Sequence, residues 1–121
     1  MKIGLRIVSI VLSLVFILAG GAKLSGQAAM IESFTHFGMP IGFMYLIGAS
    51  EVAGAIGLQI RKVAGYAAGG LLLIMFGAIG SHLLFDPIQK AVPAIILGAL
   101  LFSMIMGIGK ISRNEIAPPV L

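Results

Sequence analysis

Four long apolar stretches, separated by short polar segments, dominate the chain. They cover residues 4–23, 41–60, 63–85 and 91–109. About twenty apolar residues is the length at which an α-helix crosses the hydrocarbon core of a bilayer. The connections between the last three stretches are short, so consecutive helices should be antiparallel neighbours. The pattern predicts an all-α membrane protein: one integral membrane domain over residues 1–121, folded as an up-down bundle of four transmembrane helices.

The first stretch has some features of a signal peptide, because a basic start precedes an apolar run. The run is long for a signal peptide, however, and Arg6 and Lys23 flank it. Long basic side chains at both ends of an apolar helix extend toward the membrane surfaces. We therefore interpret this stretch as a transmembrane helix that is retained.

The segment over residues 26–39 is the longest connection between apolar stretches. Four of its apolar residues recur at helical spacing: Met30, Ile31, Phe34 and Phe37. This spacing predicts a short amphipathic helix lying in the membrane interface. Gly38 is suited to end that helix, and Pro40 is suited to begin the next one.

The distribution of lysine and arginine predicts the orientation of the bundle. Six basic residues lie at the ends of the apolar stretches on one side: Lys2, Arg6, Arg61, Lys62, Lys110 and Arg113. Lys23 and Lys90 lie on the other side. The positive-inside rule places the more basic side in the cytoplasm. Both termini and the tail over residues 110–121 should therefore be cytoplasmic, and the segment over residues 26–39 should face outward.

The composition supports membrane insertion and excludes several functions. The chain is 60% hydrophobic and 10% charged, more apolar than a soluble domain of 121 residues. It has no cysteine, which excludes disulfides, thiol redox chemistry and thiolate-held clusters. The net charge of +4 comes from basic residues at helix ends, so no nucleic-acid partner is expected. The lipid bilayer is the expected partner. The 17 glycines, many of them inside the apolar stretches, predict close packing between helices.

Glu51 is the most informative residue, because it lies near the middle of the second apolar stretch. A carboxylate at the bilayer centre costs about 2.5–3.5 kcal/mol, so protonation, a partner or a wet cavity must offset that cost. Gly48, Gly54 and Ala55 share its helix face and would let another helix approach closely. Glu51 should therefore point into the bundle, and ionisable residues inside membranes are functional by default.

Four more polar residues complete the candidate intramembrane site. Lys23 and His82 lie near the outer ends of their helices, where a purely interfacial role is the alternative. A Lys23–Glu51 contact would require the lysine side chain to reach inward. Ser13 and Ser103 lie about 10 Å from the cytoplasmic side and are candidate supporting hydroxyls. His36 reads as a loop residue outside the apolar stretches.

No catalytic motif accompanies these residues. The glycines form no phosphate-binding loop, and no G-x-S-x-G nucleophile motif is present. The two histidines lack the spacing of a metal or haem ligand set, so no metal is expected.

The chain resembles the DoxX and DoxX-like family of small four-span membrane proteins. The resemblance rests on AGGAKLSG at residues 19–26, GMP at residues 38–40, GASEVAGAIGL at residues 48–58 and RKVAGY at residues 61–66. It extends from about Arg6 to Leu100. The lysine at the end of the first helix, followed by the glutamate in the second, is its most telling feature.

The resemblance implies a subunit of the bacterial inner membrane. Some members of the family are linked with quinone-dependent oxidation of sulfur compounds, and others with membrane oxidoreductase complexes. By position, Lys23 and Glu51 match the family's polar residues, and His82 matches more weakly. No intrinsic cofactor is expected, and a bound quinone or a partner subunit would supply any redox chemistry.

Three functions stay open at this stage. The first is an accessory subunit of a quinone- or lipid-associated membrane redox complex, in which Glu51 handles protons or hydrogen bonds. The second is a non-catalytic scaffold in which Glu51 fixes the helix register. The third and least favoured is a proton-coupled transporter, because small multidrug transporters carry their glutamate in the first span and line it with tryptophan, which is absent here. Whether the chain forms a homo-oligomer or joins a redox partner is also open.

Overall fold

The chain folds into five α-helices, with no strand in the described part. A computed structural model describes the backbone of residues 3–116 and the side chains of residues 3–110. The helices are α1 (Ile3–Leu24), α2 (Ala28–His36), α3 (Ile41–Gly57), α4 (Ala64–Phe85) and α5 (Val92–Ile116), and a 3-10 helix (Ile88–Ala91) precedes α5. The prediction of an all-α membrane bundle is confirmed.

Three helical segments are long and apolar enough to cross a membrane unaided: Ile3–Leu24, Ala64–Phe85 and Ile88–Lys110. The pair α2 and α3 passes the same criterion together, bent by 117° between the two helices. With its 17 residues, α3 alone is about 26 Å long, at the lower limit for a spanning helix. The described residues therefore provide three spans, or four when the bent pair counts as one.

Two predicted boundaries differ from the structure. The predicted second span reaches residue 60, but α3 ends at Gly57 and a series of turns leads into α4. The predicted cytoplasmic tail begins at residue 110, but α5 continues to Ile116. The residues after Gly109 include no glycine or proline until Pro118, so nothing in their chemistry stops the helix earlier. Residues 117–121, at the end of the predicted tail, lie outside the described residues.

The bundle is built from two tightly packed helix pairs that share one core. α1 packs mainly against α3, and α4 packs mainly against α5, while α3 and α4 join the two pairs. The core contains large side chains from α1, α4, α5 and the residue that follows α3: Phe16, Leu58, Leu71, Leu101 and Met104. These side chains fill the space between the helices, so the polar residues between α1 and α3 are shielded from lipid.

Glycines allow close helix contact in only part of the bundle. A Cβ atom on Gly54 would lie 2.7 Å from the Leu71 side chain, so α3 and α4 could not approach as closely without this glycine. On α4 the expectation of close packing is wrong for several glycines: Gly69, Gly70, Gly77 and Gly80 have no atom of the described residues within 4 Å of an added Cβ. Those positions face open space beside a single chain.

Two glycine turns hold α2 across the end of the bundle. Gly26 and Gly38 have φ values of +68° and +72°, in the left-handed region that glycine adopts without steric cost. At each turn the three N–H groups that follow the preceding helix donate to its last carbonyls; Gly38 N–H, for example, donates to Thr35 O at 3.0 Å. The chain thus reverses at both ends of α2, which places this helix over α3 and α4.

Candidate functional site

A buried ion pair lies between α1 and α3. Lys23 Nζ is 2.7 Å from Glu51 Oε1, and the side chain of Glu51 is only 3% exposed. Glu51 lies ten residues after the start of α3, so it is about 15 Å from that end of the helix. The lysine side chain therefore extends inward to meet it. Apart from this ion pair, Oε1 has no hydrogen-bond partner among the described residues.

Two glycines explain why Lys23 can reach Glu51. A Cβ atom on Gly20 would lie 2.6 Å from Gly48 O, and one on Gly48 would lie 2.8 Å from Lys23 Cβ. Both distances are shorter than real Cβ contacts, so the backbones of α1 and α3 touch here only because side chains are absent. Lys23 follows Gly20 by one turn of α1, and this contact sets its side chain against α3.

A second polar contact joins α1 and α3 farther from α2. Ser13 Oγ donates to Ala55 O at 2.8 Å, and Gln59 Nε2 donates to Ser13 Oγ at 2.7 Å and to Ser9 O at 3.0 Å. Each interaction satisfies a polar group that would otherwise be costly in an apolar interior. Ser103 is different, because its hydroxyl is exposed and donates to Ala99 O of its own helix.

The ion pair lines one part of a cavity enclosed by α2, α3 and α4. The cavity volume is about 500 Å³, and both Lys23 and Glu51 contribute to its surface. Its other walls are mostly apolar and come from three helices: Phe34 and Phe37 on α2, Phe43 and Ile47 on α3, and Leu73, Ile74, Met75, Gly77 and Ala78 on α4. Ser33, Ser81 and His82 add polar atoms elsewhere on its surface. A mostly apolar cavity of this size with a few polar groups is typical of a small-molecule site.

Aromatic side chains form the part of the cavity wall beneath α2. The Phe34 and Phe43 rings lie 6.5 Å apart between their centroids. The Phe37 ring meets the His82 ring edge to face at 5.3 Å. Such pairs contribute about 0.5–1.5 kcal/mol beyond the burial of their area. These ring contacts hold α2 against α3 and α4, so α2 covers the cavity at this end of the bundle.

A polar cluster ties α2 to the end of α4. His82 Nδ1 donates to Asp86 Oδ2 at 2.9 Å. His36 Nε2 lies 3.1 Å from both Asp86 Oδ1 and Phe85 O, and because a carbonyl oxygen only accepts, this nitrogen carries the hydrogen. The hydrogen bond from His82 is the main cause that lowers the pKa of Asp86, and Lys90 and His36 contribute to it. The pKa falls although the partial desolvation of this carboxylate acts in the opposite direction.

This cluster lines a second cavity that opens at the surface. The second cavity has a volume of about 760 Å³ and a more polar wall, to which Glu32, Asp86 and Lys90 contribute. Three residues line both cavities: Ser33, Phe37 and His82. The apolar cavity and the polar surface cavity are therefore separated by little more than these side chains.

The structure brings some predicted site residues together and separates others. Lys23, Glu51 and His82 all line the 500 Å³ cavity, whereas Ser13 and Ser103 do not. Sequence reasoning missed Asp86 as a site residue and treated His36 as a loop residue, although His36 lies in α2. The signal for Asp86 was its spacing of four residues from His82, which places both on one side of a helix end. Among the described residues, no cluster of three or more histidine, aspartate or glutamate side chains has the arrangement to hold a metal ion.

Fold and site together define a small all-α membrane protein with a buried ion pair beside an intramembrane cavity. The chain belongs to the DoxX-like family, whose model matches residues 7–104. An uncharacterized protein of Bacillus subtilis (strain 168), YdgD, is 35% identical over 86 residues, which cover 67% of this chain and 75% of the relative. No solved structure matches the chain.

Proposed function

We propose that this protein is an accessory subunit of a membrane redox complex and that its 500 Å³ cavity holds the headgroup of a quinone. The observation that carries the proposal is the Lys23–Glu51 pair on the wall of an apolar cavity. A quinone headgroup is a flat apolar ring with carbonyl oxygens on opposite edges. Such a ring suits aromatic and aliphatic walls with hydrogen-bond donors in more than one place.

The residues of the cavity fit this class of ligand. The Lys23 ammonium has three N–H donors. The ion pair with Glu51 uses one of them, so the other two are available to a carbonyl oxygen of the ligand. Ser81 and His82 provide polar groups at another part of the same surface. The carboxylate of Glu51 also contributes to the cavity surface and is suited to accept a hydrogen bond from a hydroxyl group. A quinone would supply the electron transfer, while the chain binds and orients it.

The location of the cavity also favours a ligand of the membrane. Phe43 is 40% exposed and Leu73 is 71% exposed, although both line the cavity. Exposed side chains on a helix that crosses the membrane contact lipid. A ligand with an isoprenoid tail could therefore place its headgroup in the cavity and leave its tail in the bilayer.

A binding titration tests this function. The purified protein in nanodiscs is titrated with a decyl-substituted quinone, and the Lys23→Met variant is compared with Ser103→Ala, whose exposed hydroxyl lies outside the cavity. We expect Lys23→Met to weaken binding at least tenfold, since a hydrogen bond from a charged donor contributes about 1.5–3 kcal/mol. Ser103→Ala should bind like the native chain. Equal affinity in all three proteins would refute a quinone site at Lys23.

The scaffold function remains the second candidate, because the Lys23–Glu51 pair lies at the closest contact between α1 and α3. On that view, Glu51 holds these helices in register and the cavity has no ligand. A native chain that binds no quinone, together with a Glu51→Gln variant that loses thermal stability, would favour the scaffold. The opposite result would favour the quinone subunit.

A further inference from the structure

His82 connects the apolar cavity with the polar surface cavity. Three side chains line both cavities, and among them His82 has the ring with one nitrogen that donates and one that accepts a proton. Lys23 and Glu51 are on the wall of the apolar cavity and not on that of the surface cavity. His82 is therefore the imidazole that lies on the walls of both cavities.

The two nitrogens of the His82 ring have different surroundings. Nδ1 donates to Asp86 Oδ2 at 2.9 Å, and the other oxygen of Asp86 accepts from His36 Nε2 at 3.1 Å. The His36 side chain is 53% exposed, so the chain of hydrogen bonds ends at the surface. Nε2 of His82 has no hydrogen-bond partner among the described residues. In the neutral ring with a hydrogen on Nδ1, this Nε2 is an acceptor.

We propose that His82 and Asp86 form a proton-transfer path between a hydroxyl-bearing ligand in the apolar cavity and the aqueous surface at the α2 end, where His36 positions the Asp86 carboxylate. The proposal rests on the proposed function, because a reduced quinone is such a hydroxyl-bearing ligand. It adds a direction to that function: protons leave or enter from the side of the membrane that α2 covers.

The transfer balances in protons and moves no electrons along the path. The O–H bond of the ligand breaks while an N–H bond forms at His82 Nε2. The N–H bond at Nδ1 then breaks as its proton moves to Asp86 Oδ2, which leaves the ring neutral. The carboxyl group releases this proton to water in the surface cavity, because Nε2 of His36 already carries a hydrogen. Exchange between the two tautomers of the His82 ring restores the starting state. Glu32 and Lys90 line the surface cavity and are the other charged groups near its end.

A proton-pulse experiment tests the path with a probe whose protonation is visible. The probe is 4-nitrophenol carrying a decyl chain, bound to the protein in nanodiscs; the colour of its phenolate reports proton transfer. A laser pulse releases protons from a caged compound in the aqueous phase, and the rate at which the bound phenolate becomes protonated is recorded. At a probe concentration that saturates each variant, we expect His82→Gln and Asp86→Asn each to slow this rate at least tenfold.

Ser33→Ala is the matched control, because Ser33 also lines both cavities but does not titrate. Its rate should equal that of the native protein. The His82→Ala variant should recover most of the native rate when imidazole is added, which a purely structural role of the histidine would not allow. An unchanged rate in His82→Gln, or no recovery with imidazole, overturns the path while the binding site stands. A probe that does not bind, or binds equally well to Lys23→Met, overturns the proposed function and the path with it.

Discussion

Lys23 and Glu51 stabilise each other only as a pair. Each charge alone is costly in an apolar interior, and removing one partner leaves the other without compensation. The Lys23→Met variant should therefore lower the free energy of unfolding by about 3–5 kcal/mol. The double variant with Glu51→Gln should lose much less, because no charge is then stranded. Unfolding in mixed micelles measures both values.

Lys62→Met provides a reference for this comparison, since Lys62 is exposed at the opposite end of the bundle from α2. Its effect on stability should be small. If Lys23→Met and the double variant lose the same stability, the charge of Glu51 is not stranded and the ion pair is not the reason for the effect.

Gly48 is the residue that brings the two charges together. An added Cβ would lie 2.8 Å from Lys23 Cβ and 3.0 Å from Gly20 O, so Gly48→Ala forces α1 and α3 apart. Overpacking of this kind costs about 1–3 kcal/mol. Gly42→Ala is the matched control on the same helix, because nothing lies within 4 Å of its Cβ. Thermal unfolding should show a loss for Gly48→Ala and none for Gly42→Ala; equal losses would contradict the close contact.

The position of α2 depends on its glycine turns and on the carboxylate of Asp86. Its C-terminal turn requires Gly38, which has φ +72°. A residue with a side chain costs about 1–2 kcal/mol in that conformation. Gly38→Ala should therefore increase amide hydrogen exchange in α2 while α1 stays protected. Uniform exchange across both helices would show that α2 does not open on its own.

Acidification should loosen α2 through Asp86. The pKa of Asp86 is lowered in the folded chain, chiefly by the hydrogen bond from His82. A lowered carboxyl pKa means that its stabilising contribution is fully present above the ordinary value of about 3.9 and is lost as the pH falls through the lowered value. Hydrogen exchange in α2 should therefore rise below about pH 4.

The Asp86→Asn variant is the control for this pH dependence. The amide cannot titrate, so exchange in α2 should already be faster at neutral pH and should change less on acidification. A native protein and an Asp86→Asn variant with the same pH profile would assign the effect to other groups.

At the scale of the molecule, the sequence predicts the helices well because their apolar length is a local property. The positions of Glu51 and Lys23 predicted a polar site, and both residues line one cavity. Local pattern could not predict that Lys23 reaches Glu51, because this contact depends on how closely Gly20 and Gly48 approach across two helices. Asp86 was missed for a similar reason: its partner His36 is 50 residues away in the chain.

The glycines of α4 were wrongly expected to lie at helix contacts for the same reason: local sequence does not show which helices meet. Glycine frequency is a property of the sequence, whereas contact depends on which face of the helix meets a neighbour. Gly54 packs against Leu71, but Gly69 and Gly77 face open space. Sequence period alone does not separate these cases, because the apolar residues of α4 surround the helix on all sides.

The orientation of the whole bundle in the membrane follows from which helix ends lie together and which of them carry basic residues. An added Cβ on Gly107 of α5 would lie 3.2 Å from Leu5 Cδ1 of α1, so the start of α1 and the end of α5 lie at the same end of the bundle. Lys23, α2 and Lys90 lie at the other end. Six basic residues against two predict that the end with the termini faces the cytoplasm.

Because the chain has no native cysteine, single cysteines can test this orientation without a prior cysteine-free variant. Thr35→Cys places a thiol on exposed α2, and Ile60→Cys places one in the exposed turn between α3 and α4. An impermeant maleimide should label Thr35→Cys in intact spheroplasts and Ile60→Cys only after lysis. The reverse pattern would place α2 in the cytoplasm, and a proton path that ends at Asp86 would then exchange protons with the cytoplasm instead of the outside. The labelling therefore decides the side on which this protein would release protons.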